Sequence, residues 1–443
     1  MTYGVWRPER VRLSERALPP RRTERFLAGR LWIIVVVLFA IFAVLEPYDL
    51  LSPISGYGLQ EHRAEIGAAL DTIESGSMTR RLGVLALCLV GVVAWLVSRH
   101  TSRRYNPAVA VPAVALLLLA VASPMWSDDP LITARKIFVL SALVLCAVGL
   151  ARCWTLDTIV RVALVLSGMC IALGVAAEVV LGTMHPLRPE YRFRGLVHPN
   201  SMSLYCALFV LSSTVLAKRF SGRRSAIMTM MSAIGMGLLL LTKSRGTIIG
   251  LCAALVVLFV LSANSRTTLL AISASGVVVL GVVIAFPDLS TAARLWATLG
   301  RADTADLLTM TGRTDLFHDL LQYAAARPFL GYGYDSFWGP VHILEIARSQ
   351  GWIVGSSHNQ YIGMLLDLGV VGGSLFLVFL GSCLLASVIA FRRHGDALSL
   401  FPIALLVWSS INMITYGFWF ESTIPALLAL MVVARLAIRD GRE

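Results

Sequence analysis

The sequence has little charge for its length: 14% of its 443 residues are Asp, Glu, Lys or Arg, against 57% hydrophobic residues. Soluble domains carry about 25% charged residues, so an ordinary water-soluble fold is excluded. The seven cysteines are odd in number, lack C-x-x-C spacing, and lie within or beside apolar runs. They imply neither a disulfide frame nor a metal site. HExxH, P-loop and GxSxG motifs are missing, as is any metal-ligand cluster, which argues for chemistry without metal or nucleotide. Alternating apolar and polar strands of the barrel type, low-complexity linkers and fixed-period repeats are also missing.

Unbroken Leu/Val/Ala runs are present instead, and the mean hydropathy is +0.75. Crossing a bilayer takes about 20 mostly apolar residues, and a helix satisfies its own backbone there. The pattern predicts an all-α integral membrane protein of about twelve spans, at 31–45, 82–97, 107–123, 132–150, 157–181, 200–217, 225–242, 246–263, 267–287, 360–390, 398–415 and 419–437. The domain reading is a basic tail over 1–30, spans one to nine over 31–287, one large loop over 288–359, spans ten to twelve over 360–437, and a tail over 438–443. Residues 31–45 follow an arginine-rich stretch without a small-residue cleavage signal, as expected of an uncleaved signal anchor.

The formal net charge is +12, but the basic residues occupy short connections and the amino-terminal stretch rather than one soluble face, so nucleic acid is not the expected partner. By the positive-inside rule both termini are cytoplasmic and the long 46–81 and 288–359 segments face outward. A connection of about 70 residues is generally functional or a small domain of its own. Within it, Thr314 to Ala326 puts Leu316, Phe317, Leu320, Leu321 and Ala324 at helical spacing, and Arg327-Pro328 ends the run. This is read as an interfacial helix with its apolar side against lipid or the bundle.

The outward segments hold cations that topology does not demand: Arg188, Arg192 and Arg194, then Lys243 and Arg245, then Arg313. Guanidinium groups bind phosphate bidentately, so several converging at a bilayer surface would suit a pyrophosphate headgroup; singly, each is as readily a solvated charge or a headgroup anchor. Lys243 and Arg245 are pinned between two apolar spans, where charge usually marks a site. His358 and Asn359 stand immediately before a long apolar run. An imidazole with an unperturbed pKa of about 6.5 suits proton abstraction from a sugar hydroxyl, and nearby cations would keep it neutral. Alone, it could equally cap the following helix. His185, His198 and His342 read as structural or incidental, and Asp128-Asp129 as favouring the start of the next helix.

Gly312-Arg313-Thr314, then Arg327-Pro328-Phe329-Leu330-Gly331-Tyr332-Gly333-Tyr334-Asp335-Ser336-Phe337, then Ser357-His358-Asn359-Gln360-Tyr361 and Leu368-Gly369-Val370-Val371-Gly372-Gly373 resemble the signature of the O-antigen ligase and polymerase family. Phe193-Arg194-Gly195-Leu196-Val197-His198-Pro199-Asn200 and Thr242-Lys243-Ser244-Arg245-Gly246 resemble it too, so the likeness runs over roughly 105–435. It implies an inverting, metal-independent glycosyltransferase without cofactors, acting on undecaprenyl-diphosphate-linked glycans at the periplasmic face of the bacterial inner membrane. His358 resembles the family's base. Arg194 and Arg245 resemble its pyrophosphate-binding cations, with Arg313, Lys243, Asn200 and Asn359 as further binding candidates. Trp126-Ser127-Asp128-Asp129-Pro130 looks like the family's exopolysaccharide polymerases, which favours polymerisation of repeat units over ligation to another acceptor. A transporter is disfavoured because the middles of the spans are nearly free of charge, with Arg161 and Glu178 toward the edges of theirs. Implied partners are the lipid-linked glycan, membrane lipids, and chain-length and export proteins. Many members carry Trp where this chain has Phe317, and the first 100 residues match no motif.

Overall fold

The computed structural model describes residues 78–98, 103–188, 191–262, 313–351, 353–420 and 423–440. Their order is α1 (Met78–Ser98), β1 (Arg103–Tyr105), α2 (Pro107–Ala122), α3 (Pro130–Cys153), α4 (Leu156–Val180), α5 (Pro199–Arg219), α6 (Gly222–Thr242), α7 (Arg245–Ser262), α8 (Arg313–Ala326), α9 (Pro340–Gln350), α10 (Gln360–His394), α11 (Leu400–Asn412), α12 (Ile424–Ala437) and β2 (Ile438–Asp440). Seven helices among these residues are long and apolar enough to cross a membrane, and α1, α11 and α12 are shorter apolar helices. The chain is a multi-pass membrane protein.

Local signals set the helix ends. Asp129 caps α3 by accepting the Ile132 N–H at 2.9 Å, with Pro130 in the first turn, where its missing N–H costs nothing. The Thr155 hydroxyl does the same for α4, accepting from Thr158 N. Lys243, at φ 54°, turns the chain sharply out of α6, so that α7 starts two residues later.

α5 lies at the centre. Its side chains from Met202 to Ser213 are nearly all buried, against α4, α6, α7, α11 and α12. α1 packs on α3, α7 on α11, and α2 on α10. Val111, Val114 and Leu118 on α2, Ile227, Met230 and Ile234 on α6, and Leu377, Val378 and Leu385 on α10 remain exposed, an apolar outer surface that suits lipid.

The spans predicted at 31–45 and 267–287 lie outside the described residues, as do the amino-terminal segment and the first part of the large loop; each other predicted span coincides with a helix. The last differs in its start. Trp419 and Phe420, its predicted first residues, belong instead to an aromatic turn over 413–420, in which Phe418 and Trp419 are fully enclosed. Hydropathy cannot separate such a turn from a span. The antiparallel pairing of Arg103–Tyr105 with Ile438–Asp440 is a small departure from an all-α fold. Next to it Arg152 is buried, donating to Ser98 Oγ at 3.0 Å and Tyr105 Oη at 2.8 Å, so it is no loop charge.

The large loop holds two helices in its described part rather than one. α8 starts at Arg313, one residue before the predicted start, and buries Leu316 and Leu320 in a second, smaller core with Tyr332, Phe337, Ile346, Val354, Ile362 and Leu366. Its apolar side faces α9 and the first part of α10, and Leu321 is exposed instead of buried. The short α9 went unpredicted because its eleven residues carry only three buried side chains, Ile343, Ile346 and Ala347.

The motif over 327–337 is held by a break in α10. Gly369 has φ 63° and ψ −163°, a conformation open essentially only to glycine. The break frees the carbonyls of Leu366 and Asp367 and the N–H groups of Val370 and Val371, which an unbroken helix would pair with each other. The loop satisfies all four: Tyr332 N donates to Leu366 O at 2.7 Å and Gly333 N to Asp367 O at 2.9 Å, while Val370 N donates to Pro328 O at 2.8 Å and Val371 N to Phe329 O at 3.3 Å. Buried backbone groups must be paired, so the loop and the broken helix require each other.

Candidate functional site

His358 sits in a turn fixed on both sides. The Ser357 hydroxyl donates to Asn359 O at 2.7 Å, and Asn359 Oδ1 caps α10 by accepting from Tyr361 N at 2.9 Å and Ile362 N at 3.1 Å. His358 takes φ 49°, a left-handed conformation that non-glycine residues rarely hold without reason. Its ring is half-buried. Burial, reinforced by the Arg313 guanidinium and by His198, lowers its pKa to about 4. The imidazole is therefore neutral at physiological pH, the form that can accept a proton.

Hydrogen bonds draw five segments to this end of the bundle. Gln360 N donates to Met413 O at 2.9 Å, and Phe418 N to Gln360 Oε1 at 3.0 Å, tying the start of α10 to the aromatic turn. Arg313 Nη1 donates to Thr415 O at 2.8 Å in the same turn, and Ser201 Oγ meets Tyr416 Oη at 3.0 Å. Thr247, in the first turn of α7 behind Arg245, donates to Asn412 Oδ1 at 2.9 Å and contacts Ser203 Oγ at 2.8 Å. The 191–198 loop joins through Phe193 N to Leu241 O at 2.9 Å.

The candidates are thus gathered together: His358 and Asn359 at the head of α10, Arg313 at the head of α8, Lys243 and Arg245 at the α6–α7 turn, and Arg194 and Asn200 around the head of α5. Their uses differ. Asn359 acts as a cap, and Asn200 Oδ1 accepts from Arg192 Nη2 at 3.1 Å. Arg192 is spent internally, since its Nε also donates to Thr242 O at 3.1 Å. Arg194 is exposed.

His198, read as incidental, caps α5 through Nδ1 and lies within electrostatic reach of His358. His342 is structural, its ring stacked on Phe337 with centroids 4.5 Å apart. His185 is exposed. Sequence reading missed Glu178, Thr247, Asn412, Thr415 and Tyr416, whose parts come from partners distant in the chain; for the first, a buried acid in an apolar span was the available signal.

The Trp126–Asp129 turn clasps the loop. The Trp126 indole donates to Leu330 O at 2.9 Å, the Ser127 hydroxyl to Ser336 Oγ at 2.8 Å, and Arg327 pairs with Asp128 at 2.6 Å. Lys136 on α3 pairs with Asp335 at 2.6 Å.

Residues 230–377 match the family model described as O-Antigen ligase. That stretch contains Lys243, Arg245, Arg313, His358 and Asn359; Arg194 and Asn200 precede it. An O-antigen ligase of Pseudomonas aeruginosa is 27% identical over 222 residues, 47% of this chain and 48% of that protein. The exopolysaccharide production protein ExoQ of Rhizobium meliloti is 26% identical over 320 residues, 66% of this chain and 69% of that protein. The chain thus spans about half the length of the Pseudomonas relative and about two thirds of the Rhizobium one. The resemblance carried by the motifs is borne out: this membrane protein is similar to the O-antigen ligase family and to exopolysaccharide production proteins.

Proposed function

We propose that this chain is a glycosyltransferase of the bacterial inner membrane that polymerises undecaprenyl-diphosphate-linked oligosaccharide repeat units into exopolysaccharide or O-antigen at the periplasmic face. The observation that carries the reading is His358, held neutral where the cation-bearing segments meet. In this reading His358 takes the proton from an acceptor sugar hydroxyl. The freed oxygen attacks the anomeric carbon of the donor, the bond from that carbon to the diphosphate oxygen breaks with inversion, and undecaprenyl diphosphate leaves with the bonding electrons. Arg194, Arg245 and Arg313 hold the leaving diphosphate, with Lys243 beside them, and supply the positive charge a metal would otherwise provide. Chain-length and export proteins would receive the growing polymer.

Purified protein in liposomes, given one lipid-linked repeat unit and no other acceptor, tests this directly. A ladder of products supports the polymerase. Dependence on a different acceptor would instead establish a ligase, the reading favoured by the description of the matching family model and of the Pseudomonas relative. A transporter is less well supported, because such proteins bind at mid-membrane through broken helices and buried ions. Here the candidate cations gather at one end. α10 is broken, and Asp367 is buried just before the break, but the freed backbone groups are taken up by the chain's own loop.

A further inference from the structure

Glu178 is 2% exposed, near the end of α4. Burying a carboxylate is costly unless its oxygens are satisfied. Here three donors meet it, all from one loop. Oε1 accepts the backbone N–H of Arg194 at 2.9 Å and of Gly195 at 2.8 Å, and Oε2 accepts the Tyr191 hydroxyl. The loop is pressed close to reach it: a Cβ on Gly195, which has φ +59°, would stand 2.7 Å from the Cα of Gly174 on α4. Of the two arginines in this segment, Arg192 is consumed by Thr242 O and Asn200. The carboxylate grips the backbone of the other, whose side chain is exposed.

We infer that Glu178 is a positioning residue for the diphosphate of the lipid donor: from within α4 it fixes the backbone at Arg194 and Gly195 and so aims the Arg194 guanidinium. This rests on the donor reading of Arg194 above. It assigns a role to a buried acid that precedes the stretch matched by the family model, and it explains why the loop is bonded through its backbone. Gln at 178 retains an oxygen for both N–H groups and offers its amide to the Tyr191 oxygen, whereas Ala leaves all three donors unmet.

The test is the Kd of the full chain in nanodiscs for undecaprenyl diphosphate, in variants that elute as folded protein. Arg194→Ala and Glu178→Ala should each weaken binding about tenfold, Glu178→Gln about twofold or less, and the Glu178→Ala/Arg194→Ala pair no more than Arg194→Ala alone. Unchanged binding in Glu178→Ala beside a weakened Arg194→Ala, or losses that multiply in the pair, would overturn the inference and leave the donor reading standing. Unchanged binding in Arg194→Ala overturns both. Should Glu178→Ala fail to fold, Tyr191→Phe removes one donor and should weaken binding about threefold; wild-type affinity there counts against the proposal.

Discussion

Gly331 and Gly369 face each other across the contact between the 327–337 loop and the broken helix α10. A Cβ on Gly331 would lie 2.4 Å from Leu366 O, and one on Gly369 would lie 2.3 Å from the carbonyl carbon of Phe329. Every close neighbour at either position is backbone, so neither clash can be relieved by a side chain swinging away. The segment leading from α8 to His358 is anchored at this contact.

Gly369→Ala should therefore destabilise the protein by roughly 3 kcal/mol or more, from the left-handed backbone and the clash together. The check is a thermal melt in detergent. A melting temperature equal to that of wild-type would show that the loop can leave the break at no cost.

The Arg327–Asp128 pair is a different kind of contact. At 2.6 Å its geometry is good, but both side chains are about 40% exposed, so water screens it. Asp128→Asn should cost less than about 1 kcal/mol. A drop in stability as large as that of Gly369→Ala would make the ion pair, and not the backbone exchange, the main attachment.

His358→Ala should insert and fold normally, yet abolish polymer growth and let single lipid-linked repeats accumulate. Arg245→Ala should do the same. Gel analysis of the glycan and extraction of the lipid-linked pool read the two effects separately. High-mass polymer at wild-type levels in both variants would end the enzymatic reading.

The pH dependence has a definite sign. With its pKa lowered to about 4 from an ordinary value of about 6.5, His358 stays neutral as pH falls from 7 through 5 and takes up a proton only near 4. Between those two values the unfolded chain binds the proton more readily, so acid costs stability there while the base form persists. The acid limb of kcat/KM should lie well below 6.5. Arg313→Gln, which removes one cause of the shift, should move it upward. An acid limb near 6.5 in wild-type protein would show that burial and Arg313 do not lower the pKa of His358.

Much of this was legible in the chain. The apolar runs located the described spans, the 3.6-residue period located α8 to within a residue at its start, and the Asp128-Asp129 pair pointed to the head of α3. These features are local: burial of apolar surface and the pairing of a cap with the next turn need only neighbouring residues. The motif residues His358, Arg194, Arg245 and Arg313 could be named for the same reason, because side-chain chemistry is carried by residue type. α9 escaped because it is short, and the last span was started too early because the aromatic residues before α12 are as hydrophobic as a span.

By itself, then, the sequence determined the membrane class, most of the described helices and the residue types from which the proposed chemistry is drawn. Only the tertiary structure decided that Leu366 and Asp367 give their carbonyls to Tyr332 and Gly333, that Arg192 is spent while Arg194 is exposed, that Leu321 faces away from the small core, and that Glu178 holds the loop from beneath. These depend on how separate elements meet, as where Tyr332 donates to Leu366 O and Arg192 to Thr242 O. Such contacts are settled by how the helices pack, and no local period or composition encodes their geometry.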